Sequence, residues 1–184
     1  MYTWIFNPQN VHFAVSPSLA RTHLDSDSVV LDIGCGDGTI DYLFFSDIAK
    51  RIDGVDISES GINYAKRHYK RKNLNYYKTN ILDFQPENLP YDFVFWADSI
   101  DYFSKEEIND ILMLLKEWVK IDGHILIKTP LSEKSPISDS NHMKSFQSNQ
   151  DSFADYLSNY FNVVYKNVTD YGFRKDIDIL LKNK

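Results

Sequence analysis

The stretch VVLDIGCGDG, residues 29–38, decides how the rest of the chain is read. Its first half, Val29 to Ile33, is a short apolar run rich in β-branched residues, the composition of a parallel strand buried on both faces. Its second half places glycines at positions 34, 36 and 38. Glycine lacks the Cβ that would forbid positive φ or fill the space beside the chain, so this spacing predicts a tight turn whose backbone approaches a ligand closely. Residues Thr39 to Ala49 follow and are expected to be helical. Strand, glycine turn and helix in succession open a βαβ unit.

Outward from that turn, Ile52 to Val55 reads as a second strand, with Asp56 at its end, 18 residues beyond Gly38. A carboxylate there can accept hydrogen bonds from both hydroxyls of an adenosine ribose, so the turn and the acid together define a nucleoside site. Ser58 caps a helix carried by Ile62, Ala65 and Tyr69. Leu74 to Thr79 and Asp92 to Trp96 supply further strands. Ser104 and Glu107 then form a capping box ahead of Ile108, Ile111, Leu112, Leu115 and Val119. Asp122-Gly123 turns the chain into a fifth strand, His124 to Lys128, followed by a polar loop or lid over residues 129–147. Phe153, Tyr156, Leu157 and Tyr160 mark one more helix. Phe161 to Val168 and Asp176 to Leu181, joined by a turn at Tyr171-Gly172, imply a terminal hairpin. The expectation is a single α/β domain over 1–184 with an N-terminal segment at 1–27. Its Rossmann-like, doubly wound sheet has seven strands, mostly parallel, and closes with an antiparallel C-terminal hairpin.

Composition bounds the partners. The 184 residues are 43% hydrophobic and 25% charged, which suits one core. A net charge of -6 opposes a phosphate backbone, so no nucleic-acid partner is expected. The basic run from Lys66 to Lys72 reads as cations that complement the end of a helix. Cys35 is the only cysteine, which excludes an intramolecular disulfide and a cysteine-rich zinc site. No metal site is expected. No window approaches the ~20 apolar residues of a membrane span, and no signal-like start is visible, so a cytoplasmic protein without a membrane partner is expected.

At these motifs the sequence resembles the class I S-adenosylmethionine (SAM)-dependent methyltransferases, from about Val29 onward and with the motifs in order. Asp32 to Gly38 matches the family's acid-x-Gly-x-Gly-x-Gly, and Asp56 its ribose acid. The resemblance implies cofactor contacts by Asp32, Gly34, Cys35, Gly36, Gly38 and Asp56. It also implies that Ile57 packs on the adenine and that Asn80 and Ile81 read the adenine edge. Asn80 stands where an aspartate is usual, but its amide oxygen can still accept from the adenine amino group. Trp96, Ala97 and Asp98 align with the stretch at the methionine end, and Arg21 is a candidate for the cofactor carboxylate. The implied cofactor is SAM, with S-adenosylhomocysteine as its product. A nicotinamide-binding domain would space its glycines G-x-G-x-x-G, and Asp32 would oppose a pyrophosphate.

Methyl transfer is an in-line displacement that gains most from alignment of donor and acceptor. A hydroxyl acceptor also needs a base. His142, in the polar segment after strand five, is the first candidate; Asp98 and Asp101 are weaker ones. His12, His23, His68 and His124 are expected to be structural. The expected acceptor is a small molecule, foremost a hydroxyl of a sugar or nucleotide sugar. N-methylation of a small amine or a protein, or a non-catalytic SAM-binding subunit, are the alternatives.

Overall fold

A computed structural model describes residues 10–87, 89–131 and 150–184. Seven strands form one sheet in the order β3-β2-β1-β4-β5-β7-β6. Here β1 (Val29–Ile33) pairs in parallel with β2 (Arg51–Asp56) and β4 (Tyr91–Ala97). Strand β2 pairs in parallel with β3 (Leu74–Lys78), and β4 with β5 (Val119–Pro130). The hairpin of β6 (Asn162–Asp170) and β7 (Lys175–Lys182) is antiparallel, and β7 inserts between β6 and β5. The Rossmann-like sheet expected from the sequence is therefore present.

Alternation along the strands explains the two layers. In a strand successive side chains face opposite sides. Val94, Trp96, Ile125, Ile127, Ile177 and Ile179 point to one face, where α3 (Lys105–Trp118) lays Ile108, Ile111, Leu112 and Leu115 and α4 (Gln150–Ser158) lays Phe153 and Leu157. Val30, Phe93, Phe95, Leu126 and Leu180 face the other side, with Ala20 of α1 (His12–Arg21) and Phe45. Helix α2 (Glu59–His68) packs Ile62 and Ala65 over Tyr76 of β3. The starts of α2 and α3 follow their capping residues. Ser58 accepts from Gly61 N, and Ser104 and Glu107 form a reciprocal capping box.

Two elements differ from expectation. The helix predicted over residues 39–49 is centred on a π-helical turn, Asp41–Phe45, in which Ser46 N donates to Asp41 O at 2.9 Å. The wider turn buries both Asp41 and Phe45, the latter edge-on to Phe95. Strand β5 runs from Val119 to Pro130, longer at both ends than the apolar run predicted, because its first residues continue past a bulge beside β4. Residues 132–149, most of the segment expected to form a lid, lie outside the described residues, and His142 with them. Among the described residues no helix is long and apolar enough to cross a membrane.

Candidate functional site

Strand order reverses at β1, whose neighbours β2 and β4 lead to opposite halves of the sheet, and the carboxyl ends of such strands form a crevice. The glycine turn sits in that crevice. Gly34 N and Cys35 N both donate to Val55 O, at 2.8 and 3.2 Å, so the loop is fastened to the end of β2. Gly34 has φ +78°, and a Cβ there would lie 2.4 Å from Ser99 Oγ. That close approach joins the ends of β1 and β4, because the Ser99 hydroxyl donates to Ile33 O at 3.0 Å. Gly36 is the opposite case. It has φ +57°, yet among the described residues, its chain neighbours aside, no heavy atom lies within 4 Å of where its Cβ would be. The protein's own packing leaves that space open.

Asp56 reaches back across the turn. Its Oδ2 accepts from Gly36 N at 2.8 Å and its Oδ1 from Ser58 N at 2.7 Å. Both bonds aim the carboxylate, and each oxygen keeps a lone pair for a ribose hydroxyl. Asp56 lines a cavity of about 380 Å³ together with Gly34, Ile57, Asn80, Ile81, Asp98 and Tyr102. Ile57 is 71% exposed although apolar, as a residue that covers a planar ring would be. The Asn80 side chain accepts from Leu82 N at 3.0 Å and so caps the short helix Ile81–Asp83 at the cavity wall.

A second cavity of about 170 Å³ shares Gly34 and Asp98 with the first, and adds His12, Phe13, Asp32, Cys35, Ala97 and Lys128. Its charges form one network across three strands and α1. Asp98 ends β4 with φ +55°, a conformation few residues without a glycine's freedom adopt. There its carboxylate takes Lys128 Nζ at 2.5 Å and also Arg174. Lys128, only 1% exposed, lies 3.2 Å from Asp176, which pairs with Arg174 as well. Ser16 Oγ donates to Asp178 at 2.5 Å, tying α1 to β7. Burial pushes the Asp178 carboxyl up, as it does that of Asp101. Asp32 is buried at the cavity wall beside fully buried Asp41, and desolvation raises both carboxyls above the usual range. Among the described residues neither Asp41 oxygen has a hydrogen-bond donor.

The structure thus brings Asp32, Gly34, Cys35, Asp56, Ile57, Asn80, Ile81, Ala97 and Asp98 to the walls of two adjoining cavities. Trp96 is fully buried, with its ring edge-on to Phe103, and lines neither. Gly36 and Gly38 also line neither, and the Gly38 carbonyl accepts from Tyr76 OH at 3.3 Å. Asp101 sits on the short helix Ile100–Tyr102, likewise off both walls. Arg21 pairs with Asp47 and Phe44 O instead of entering the site. The sequence assigns His12 a structural role and gives Lys128, Arg174 and Asp176 none at a site. They have no common motif, and only the strand order brings them together. The basic run lines an open groove on β3, with Tyr69 and Tyr76. Among the described residues no group of side chains could hold a metal ion.

Residues 30–123 match the family model described as a methyltransferase domain. The chain is 27% identical over 168 residues to phosphoethanolamine N-methyltransferase of Plasmodium falciparum (isolate 3D7), an alignment covering 86% of the chain and 63% of that protein. It is also 27% identical over 115 residues to human N-terminal Xaa-Pro-Lys N-methyltransferase 1, covering 61% of the chain and 52% of the relative. The chain therefore spans only about half to three fifths of the length of these curated relatives. The fold is similar to the crystal structure of N-methyltransferase NodS from Bradyrhizobium japonicum WM9 with S-adenosylhomocysteine. The TM-score is 0.74 at 14% identity, covering 96% of this chain and 88% of that one. The site suits the same kind of cofactor. Its shape is compatible with one: space is open beside Gly36, Asp56 is held across the turn, and the acids Asp32 and Asp98 line the second cavity. From the matched residues 30–123, the chain belongs to the methyltransferase domain family, of the class I fold that uses S-adenosylmethionine.

Proposed function

We propose that the chain transfers the methyl group of SAM to the nitrogen of a small amine. The observation that carries this reading is the balance of charge at the second cavity. Among the described residues, Asp32 and Asp98 line it beside a single cation, Lys128, whose charge is already met by Asp98 and by Asp176 behind the wall. Such a field favours an acceptor with a basic nitrogen, which sheds its proton before it attacks, and disfavours the phosphates of a nucleotide sugar. The names of the two curated relatives, both N-methyltransferases, support the same choice over the sugar hydroxyl expected from the sequence. When bound, SAM supplies an electrophilic methyl on a sulfonium. The chain's own part is to bind and align. Asp56 would hold the ribose, Ile57 would cover the adenine, and Asn80 with Ile81 would face its edge. Asp32 and Ala97 would lie at the amino-acid end. Lys128 and Arg174 fix Asp98 where the two cavities meet.

The test is to incubate the purified protein with SAM and two acceptor panels, small amines and sugars, and to follow release of S-adenosylhomocysteine. Release with an amine is the expected outcome. Release with sugars alone would overturn the acceptor, and a protein that fails to bind SAM in a calorimetric titration would overturn the whole reading.

A further inference from the structure

Asp41, in the π-helical turn, is fully buried, and among the described residues neither of its carboxyl oxygens meets a donor. A carboxylate taken out of water without a donor or a cation is so costly that the group keeps its proton instead. The position is tightly defined. A Cβ built on Gly54 of β2 would lie 2.8 Å from Asp41 Oδ2, 2.9 Å from Cys35 Sγ and 2.9 Å from Tyr76 Cδ1, so three side chains converge there. Asp32 of β1 lies within hydrogen-bonding reach of Asp41, and two carboxyls that close do not both ionise. Asp32 differs in one respect: its oxygens are not sealed as those of Asp41 are, and it lines the second cavity.

We propose that Asp41 is a positioning residue for the cofactor: it keeps a proton and donates it to Asp32, which is thereby held as a carboxylate facing the second cavity, where it receives the ammonium of SAM. This inference rests on the proposed place of the amino-acid end of SAM at Asp32, and adds the donor behind that acid. The other groups around the pair bring no competing cation. Asp53 of β2, which bears on Asp41, takes Arg51 at 3.2 Å, Tyr91 OH at 2.9 Å and Asn75 Nδ2 at 3.0 Å. Asp56, which bears on Asp32, is held by the amides of Gly36 and Ser58. Burial pushes the Cys35 thiol and the Tyr76 phenol up, so both stay neutral. Burial likewise raises both carboxyls above the ordinary 3.8, but their mutual contact draws Asp32 down and pushes Asp41 up, which puts the shared proton on Asp41. Without that donor Asp32 would take up a proton itself and offer the ligand no charge.

Two measurements decide the matter. First, the infrared difference spectrum of unliganded wild type against Asp41→Asn at pH 8 is expected to show the carbonyl stretch of a protonated carboxylic acid, lost in the variant. Absence of that band overturns the proposal, with no need of SAM. Second, SAM affinity at pH 7 is measured by calorimetry for wild type, Asp41→Asn and Asp41→Leu, each checked for cooperative unfolding. The asparagine amide keeps a donor for Asp32 and leucine has none, so affinity should stay within about threefold in the first and fall about tenfold or more in the second. Equal losses in both variants, or none in the leucine variant, overturn the role. Should the leucine variant fail to fold, a pH series on the other two proteins replaces it: their affinities should fall together between pH 7 and pH 5 as Asp32 takes up a proton, and curves that separate overturn the role. A wild type that binds no SAM overturns the place given to the cofactor, while the infrared band still decides where the proton sits.

Discussion

The two adjoining cavities are built in different ways. The larger is lined by the segments that follow successive parallel strands, from the turn after β1 to Asp98 after β4, and its acid, 20 positions from Gly36, is aimed by backbone N–H groups. The smaller is lined from α1, β1, β4 and β5 and backed by β7, with contacts separated by up to 162 positions, as between Ser16 and Asp178. A nucleoside end presents the same chemistry to many proteins and can be met by a backbone loop. The other end must suit a particular partner, and long-range charge pairs let it vary without disturbing the loop.

If that contrast is sound, the largest effect comes from the smaller cavity, and it is on stability. Lys128→Ala leaves Asp98 and Asp176 facing each other with Arg174 alone between them, and should destabilise the fold by about 3–5 kcal/mol in urea denaturation. A loss below about 1 kcal/mol would mean that the network is not truly desolvated. Next in size, Asp56→Ala should weaken SAM binding about 100-fold, as expected for loss of charge-assisted hydrogen bonds. Unchanged affinity in calorimetry would remove the ribose acid from the larger cavity. Gly36→Ala sharpens the comparison. Positive φ should cost about 1–2 kcal/mol of stability, since no clash is added. SAM affinity should fall at least tenfold beyond that strain if the open space belongs to the ligand.

The smallest predicted effect concerns pH. Burial raises the Asp41 carboxyl above its ordinary 3.8, so the folded chain holds that proton more tightly than the unfolded one. Its contribution to stability is therefore full below 3.8 and is lost as pH rises through the folded value. Asp41→Asn removes that loss and should stabilise the protein by about 1 kcal/mol at pH 7, with the advantage shrinking as pH approaches 4. A variant less stable than wild type at both pH values would show that Asp41 is needed as a carboxyl.

The same contrast explains what could be read from the sequence. Residues 29–38 announce strand and turn because glycine spacing and strand composition are local signals, and Asp56 is found across that turn. Ser104 with Glu107 fixes the start of α3 for the same reason. The π-helical turn at Asp41–Phe45 carries no such signal, since its register is set by where Phe45 meets Phe95. Trp96 follows strand alternation and faces the core, which alignment to a motif does not reveal. His12 and Lys128 lie on apolar-patterned segments where a polar residue reads as incidental. Their meaning depends on β7 entering the sheet beside β5.

That insertion also bears on the order of assembly during synthesis. Strand β7 leaves the ribosome after every other described strand, yet its place is interior, between β5 and β6. A nascent chain that has released β6 but not β7 would present β5 as an unsatisfied edge, open to pairing with a foreign strand. The Lys128 ammonium would meanwhile lack Asp176, and Asp98 would lack Arg174, so vectorial folding cannot complete this charge network until β7 is threaded home.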